Sequence, residues 1–382
     1  MPHYIWQSPD WPHLTWQSQR LLAPLGRARL AQGKLLSQAG GLGFELGQTA
    51  QADILTEEAV KTAAIEGESL DRGSVRSSVA RRLGLPTAGL PQVPRHIDGL
   101  VEVLLDATLH FRVPLTAKRL QGWQAALFPT GYSGLHRIRV GAWRGEGAPM
   151  QVVSGPVGRE TVHYEALPGG QVATEIERFL LWWKESLGAM DGLLRAGIAH
   201  FRFVTVHPFE DGNGRLARAL TDMALAQDEQ NPARFYSLSS QIMAEREAYY
   251  WVLEQTQKGE GDITAWLEWF LGCFERSVAR SEQLLGSVLQ KARFWQRHAG
   301  ARLTERQRKV LNRLLDCGPG GFEGGMTTRK FAGLTGVSKA TAQRELAGLV
   351  EQGLLRPNPG GGRSASYEPA WEDSGKGPGW GE

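Results

Sequence analysis

Apolar positions recur every three or four residues along most of this chain, the spacing that turns one face of a helix toward a core. That period predicts a helix from about Gln19, a break at Gly40-Gly41 and a second helix from about Ala50 to Glu66. A third is expected near 74–83, and the three prolines of LGLPTAGLPQVPR (83–95) mark a linker. Residues 96–128 hold two amphipathic helices, HIDGLVEVLLDATLHF and TAKRLQGWQAALF. Between 136 and 165 the pattern changes to alternation, and HRIRVGAW and MQVVSG, broken by Gly-rich turns, predict a β-hairpin. Helical spacing then returns as far as about residue 298.

From Thr304 the order is three helices, TERQRKVLNRLLD, TTRKFAGLTG and SKATAQRELAGLVEQG, followed by a strand pair in LLRPNPGGGRSASYEP. This is the order of a winged helix-turn-helix, with Thr335-Gly336-Val337 as the turn. The expected domains are 1–95, 96–298 and 299–370, with 371–382 as a disordered tail.

Composition changes this picture little. The chain has 382 residues, 43 basic and 40 acidic, and a net charge of +3, too small to make nucleic acid the partner of the whole protein. Residues 301–369 are more basic, with eleven Lys/Arg against six Asp/Glu, so DNA is a candidate partner there. The two cysteines, Cys273 and Cys317, match no metal or redox spacing and fit a reducing compartment. No stretch approaches the roughly 18 uninterrupted apolar residues of a membrane span, and MPHYIWQSPDW does not read as a secretory signal. A cytoplasmic location is expected.

Candidate chemistry concentrates in one segment, HPFEDGNGRLAR at 207–218. An apolar helix should stop before Pro208, and another starts within RLARALTDMALAQ. Glycines on both sides of Asn213 let consecutive N–H groups point inward, and a helix N-terminus adds its dipole, so the loop reads as an anion site. Arg215 and Arg218 share a helix face and offer forked donors to phosphate. Asp211 is a hard oxygen ligand suited to Mg²⁺, and His207 is a base that works near neutral pH. Together these are the parts of a nucleotidyl transfer.

The segment resembles the signature of the Fic family, H-P-F-x-[D/E]-G-N-G-R-x-x-R, at every position from 207 to 218. The resemblance covers roughly 96–285 and implies a mainly α fold: a helical core with a β-hairpin flap, here with an N-terminal helical domain and the C-terminal winged helix-turn-helix. It implies a protein adenylyltransferase that moves AMP from ATP to a Ser, Thr or Tyr hydroxyl of a target protein. In that reading His207 is the base, Phe209 anchors the loop and Asp211 holds Mg²⁺. Gly212, Asn213 and Gly214 line the anion hole, while Arg215 and Arg218 contact phosphates. A glycine at 214 favours AMP transfer over phosphorylation, which goes with a bulkier residue there. The flap that holds the target is expected within 150–164. Tyr249 and Tyr250 are candidate adenine contacts, with packing in the core as their other role.

A second segment, Thr62-Ala-Ala-Ile-Glu66-Gly67, resembles the inhibitory motif [S/T]-x-x-x-E-[G/N] of one class of Fic proteins. Glu66 falls in the last turn of its helix, at the negative end of the dipole, which disfavours a carboxylate by a few tenths of a kcal/mol or more. Something else should compensate it. The resemblance implies pairing with Arg218 in the space of the γ-phosphate, and hence autoinhibition. In some Fic enzymes the same glutamate positions a water that removes AMP, so removal is a second activity to test. A homodimer is a further candidate assembly, and no membrane association is expected. Two rival functions remain: a DNA-binding regulator that uses the Fic core as a nucleotide sensor, and a metal-dependent phosphohydrolase. The second lacks another metal-ligand cluster in the sequence.

Overall fold

The computed structural model describes residues 4–85, 91–147, 149–154, 159, 161–315, 322–358 and 365–371. Cys317, Arg363, parts of the 83–95 linker and of the 150–164 flap, and nearly all of the expected tail lie outside these residues. The chain falls into two units, 1–281 and 282–382.

In the first unit, α1 (Ser18–Gly40) is followed by α2 (Phe44–Ile65), α3 (Arg72–Arg82), α4 (Arg95–Leu109) and α5 (Ala117–Leu127). The polar residues before several helices act as their caps. Asp71 accepts from the Ser74 amide, Thr116 from Arg119, and Asp191, at the head of a later helix, from both Leu193 and Leu194. Each such cap satisfies a donor that the helix itself cannot.

The alternating region forms two small hairpins where one was expected. β1 (Tyr132–Ser133) pairs with β2 (His136–Arg137), and β3 (Gln151–Ser154) pairs with β4 (Thr161–Glu165). HRIRVGAW and MQVVSG therefore do not pair with each other. The first run is captured locally by a two-residue turn at Gly134-Leu135, with Gly134 at a φ of +55°. Of the tryptophans near the N-terminus, Trp6 packs beside the second hairpin and donates to the Glu165 carbonyl at 2.8 Å, while Trp11 donates to Glu175, within 172–185, at 2.9 Å.

Helices α6 (Val172–Glu185), α7 (Gly192–Val206), α8 (Asn213–Glu229), α9 (Leu238–Ala244), α10 (Arg246–Gln257) and α11 (Thr264–Arg297) follow, the residues of α11 from 282 on belonging to the second unit. The closest packing in the unit is between α7 and α8, both buried along nearly their whole length. Phe201, Phe203, Phe209, Leu216 and Leu220 lose all exposure there. Fully burying such a side chain stabilises by about 1.5–3 kcal/mol, so the pair forms a stiff frame for the loop that joins its helices.

The second unit contains α12 (Glu305–Leu315), β5 (Met326–Thr327), α13 (Thr328–Thr335), α14 (Lys339–Glu351), β6 (Leu355–Pro357) and β7 (Ser366–Pro369). Its sheet has the order β5-β7-β6, so Met326–Thr327 adds a strand to the expected pair. Val310, Leu314, Phe331, Leu346 and Leu349 centre its core. Gly336 closes α13 at a φ of +69°, where the turn was expected. Among the described residues, no helix is long and apolar enough to cross a membrane.

Candidate active site

The chain from α7 to α8 is held both from within and by Arg144 outside it. His207 ends α7 with φ of 51° and ψ of 60°, a left-handed conformation that a side chain seldom adopts. Buried Arg144 fixes it: its Nε donates to the His207 carbonyl at 2.7 Å, and its amide donates to the Pro208 carbonyl at 2.9 Å. Asn213 closes the loop on itself. Its Oδ1 accepts from the Phe209 amide at 2.9 Å and its Nδ2 donates to the Phe209 carbonyl at 2.8 Å. Phe209, fully buried against Trp143, is the apolar anchor.

His207 is half-buried, and its Nδ1 lies 3.2 Å from the Val204 carbonyl. A carbonyl only accepts, so Nδ1 carries the proton and the lone pair is on Nε2. Burial holds the imidazole pKa below its ordinary 6.5, against the opposite pull of the Val204 carbonyl, Glu66 and Asp211. A neutral ring with a free Nε2 is the state a base needs.

Asp211 is oriented at both oxygens. Oδ1 accepts from the Gly212 amide at 2.5 Å, and Oδ2 accepts from the Ser133 hydroxyl on the β1–β2 hairpin. Gly212 then turns the chain into α8 with a φ of +90°, and no side chain caps the helix. The first amides of α8 are therefore left without an intrahelical or capping partner, at the positive end of its dipole. Arg215 and Arg218 follow. Arg218 is 2% exposed, and among the described residues neither its Nη1 nor the buried Nε of Arg215 meets a hydrogen-bond acceptor. Unpartnered guanidinium donors beside an uncapped helix start fit an anionic ligand better than any feature of the protein alone.

The C-terminal end of α2 fills this space. Glu66 is the residue that ends the helix, and its Oε1 accepts from Arg218 Nη2 at 2.7 Å. Arg218 also donates to the Thr62 hydroxyl at 2.6 Å and to the Thr62 carbonyl at 2.9 Å. A Cβ added to Gly214 would run into Glu66 Oε1, so the glycine leaves the room the carboxylate takes. The misplaced charge noted in the sequence is thus offset by a guanidinium and by the positive end of α8.

The structure thus brings His207, Asp211, Gly212, Asn213, Gly214, Arg215, Arg218 and Glu66 to one place. Tyr249 is buried behind the site, where the charge of Arg218 acts on its phenol. It is 2% exposed, bonded through its hydroxyl to His200 Nε2 at 2.9 Å, and packed on Trp266 and Trp269. Tyr250 is half-buried, with its hydroxyl 3.3 Å from the Ile65 carbonyl behind Glu66. Arg144 and Ser133 escaped the sequence reading, because neither belongs to a periodic pattern or to the loop. An arginine amid apolar residues in GAWRG is the only trace of the first.

Comparison with known proteins agrees with this geometry. Residues 114–225 match the Fic/DOC family, and residues 4–85 match a domain of unknown function, DUF4172. A 41-residue stretch is 56% identical to protein adenylyltransferase fic-1 of Caenorhabditis briggsae, covering 11% of this chain and 8% of that protein. Over 166 residues the chain is 29% identical to protein adenylyltransferase fic-1 of Caenorhabditis elegans, covering 43% and 30%. The matches span less than a third of either relative's length. The fold is similar to that of a Fic family protein from Desulfovibrio desulfuricans G20, with a TM-score of 0.55 at 18% identity over 96% of this chain and 99% of that one. Residues 114–225 therefore carry a segment of the Fic/DOC family, and the chain shares the fold of a Fic family protein.

Proposed function

We propose that this protein transfers AMP from ATP to a hydroxyl of a target protein, and that Glu66 holds the enzyme at rest. The observation that carries this reading is the Glu66 carboxylate on Arg218, over Gly214, at the uncapped start of α8. An anion of the protein occupies a place whose donors fit a phosphate.

In the reaction the acceptor oxygen attacks the α-phosphorus of ATP. Its proton passes to His207 Nε2, the bond to the β-phosphate oxygen breaks, and pyrophosphate leaves. Arg215, Arg218 and the first amides of α8 hold the charge of the leaving phosphates, where fixed donors are worth most. Asp211, a single oriented carboxylate, suits Mg²⁺, which is held by one or two carboxylates plus substrate phosphates and supplies further charge neutralisation. The β3–β4 hairpin is the segment to receive the target as an added strand, with Val153 and Val162 partly exposed on it. In the same reading the Glu66 carboxylate is the group that would activate a water for AMP removal, a second activity to test at this site.

Incubation of Glu66→Gly with Mg²⁺ and ATP labelled at either the α- or the γ-phosphate tests the reaction type. Protein-bound label is expected from the α-position alone and only while His207 is present. Label from the γ-position would mean phosphorylation.

A second reading concerns residues 299–370 as a winged helix-turn-helix that docks on duplex DNA. Glu345, the acid nearest the start of α14, is turned away and paired with Arg306 at 2.9 Å and Thr304 at 3.0 Å. The exposed face of α14 therefore presents Lys339, Gln343 and Arg344, with the small Ala340 and Ala347 beside them. Such a face can enter a major groove. A mobility shift that weakens with salt and with Arg344→Ala supports it, and no shift at low salt removes it.

A further inference from the structure

The turn that carries Glu66 brings a second carboxylate to the same loop. Gly67, at a φ of +84°, lets the chain double back behind α2. The Gly67 amide donates to the Ala64 carbonyl and the Glu68 amide to the Ala63 carbonyl, each at 3.0 Å. These crossed bonds lock the turn in register with its helix. Two residues apart on it, Glu66 and Glu68 reach the two arginines of α8. Glu66 binds Arg218 at 2.7 Å, and Glu68 Oε2 accepts from Arg215 Nη1 at 3.0 Å.

Nothing in α2 favours this pair of acids. They sit at the negative end of its dipole, and the last turn contains no basic residue. The compensation comes from across the site. Arg215 has a side chain only 10% exposed, lies over the Phe128 ring at 4.9 Å, and keeps its other terminal nitrogen 3.9 Å from Asp211. It is thus held in place before Glu68 arrives.

We propose that Glu68 is a second prong of the plug, occupying Arg215 as Glu66 occupies Arg218, so that one locked turn neutralises both guanidiniums of the phosphate site. The proposal rests on the nucleotide reading above and extends it. Freeing Arg218 alone leaves Arg215 engaged, and nucleotide phosphates gain the full site only when Glu68 also lets go. Glu68 is 39% exposed against 33% for Glu66, and its arginine is less buried, so its contribution is the smaller of the two.

The test is calorimetric binding of ATP with Mg²⁺ to the full chain carrying Glu68→Gln, Glu66→Gly, or both. The Gln substitution keeps the backbone bond that locks the turn. Glu68→Gln is expected to tighten ATP about two- to fivefold, the range for a partly exposed ion pair, both alone and on top of Glu66→Gly. With Arg215→Ala as the background, the same substitution should change nothing. An unchanged Kd in both the parent and Glu66→Gly backgrounds overturns the second prong. So does a tightening that persists without Arg215. If Glu66→Gly itself neither alters ATP binding nor raises AMP transfer, the nucleotide reading fails, and the proposal with it.

Discussion

The loop at 207–218 and the turn at 62–68 meet at one point and are held in opposite ways. Asn213 ties the loop backbone internally, Arg144 clamps it from outside, and Phe209 sinks it into the α7–α8 core. Thr62 at the start of the turn is buried on Arg218, while the Glu66 and Glu68 side chains, a third or more exposed, meet the arginines through ion pairs. A rigid receptor facing a removable acid can be switched without rebuilding the receptor. The difference also separates two kinds of damage: changes in the loop should abolish chemistry or stability, while changes in the turn should release activity.

The largest effect is expected from His207→Ala in a Glu66→Gly background. Loss of a positioned base costs about 10²–10⁴-fold in rate, and with unchanged thermal unfolding that loss would be chemical. Retained transfer would move the base elsewhere. Next comes Glu66→Gly itself. A hydrogen bond between charged groups is worth about 1.5–3 kcal/mol, so initial AMP-transfer rates should rise roughly ten- to a hundredfold. Asn213→Ala sharpens the comparison from the other side. It removes two buried hydrogen bonds and should lower unfolding free energy by about 1–3 kcal/mol in denaturant titration, where Glu68→Gln has little effect. A stability loss confined to the turn variant would reverse the assignment of frame and plug.

The pH profile gives the finest test. Transfer needs neutral His207, and burial holds its pKa below 6.5, so the rate should be level above that pH and fall only below it. Glu66 is among the groups that raise this pKa, so removing it should shift the acid limb to lower pH. A limb above 6.5 in the Glu66→Gly variant would contradict the burial argument.

The loop was legible because its chemistry requires several uncommon residue types within twelve consecutive positions. Glu66 was legible through the resemblance of 62–67 to an inhibitory motif; its conflict with the helix dipole alone does not set it apart from an exposed glutamate. The supports were not legible. Arg144 reaches His207 across 63 residues, Ser133 reaches Asp211 across 78 and Glu68 reaches Arg215 across 147, and one sequence gives no sign of such pairings. Tyr249 shows the same limit from another side. An aromatic residue on a helix packs a core or lines a pocket with identical spacing, and only the bond to His200 places it inside. The hairpins differ from expectation because alternation marks strands without naming partners, and a two-residue turn captured the nearer one.

The central claim is that Glu66 blocks a working AMP-transfer site. The most direct measurement compares parent and Glu66→Gly side by side, at equal concentration in one lysate, for initial incorporation of α-labelled AMP into protein. The account predicts a rate at least tenfold higher for the variant. Equal rates, with ATP bound by both, would contradict it.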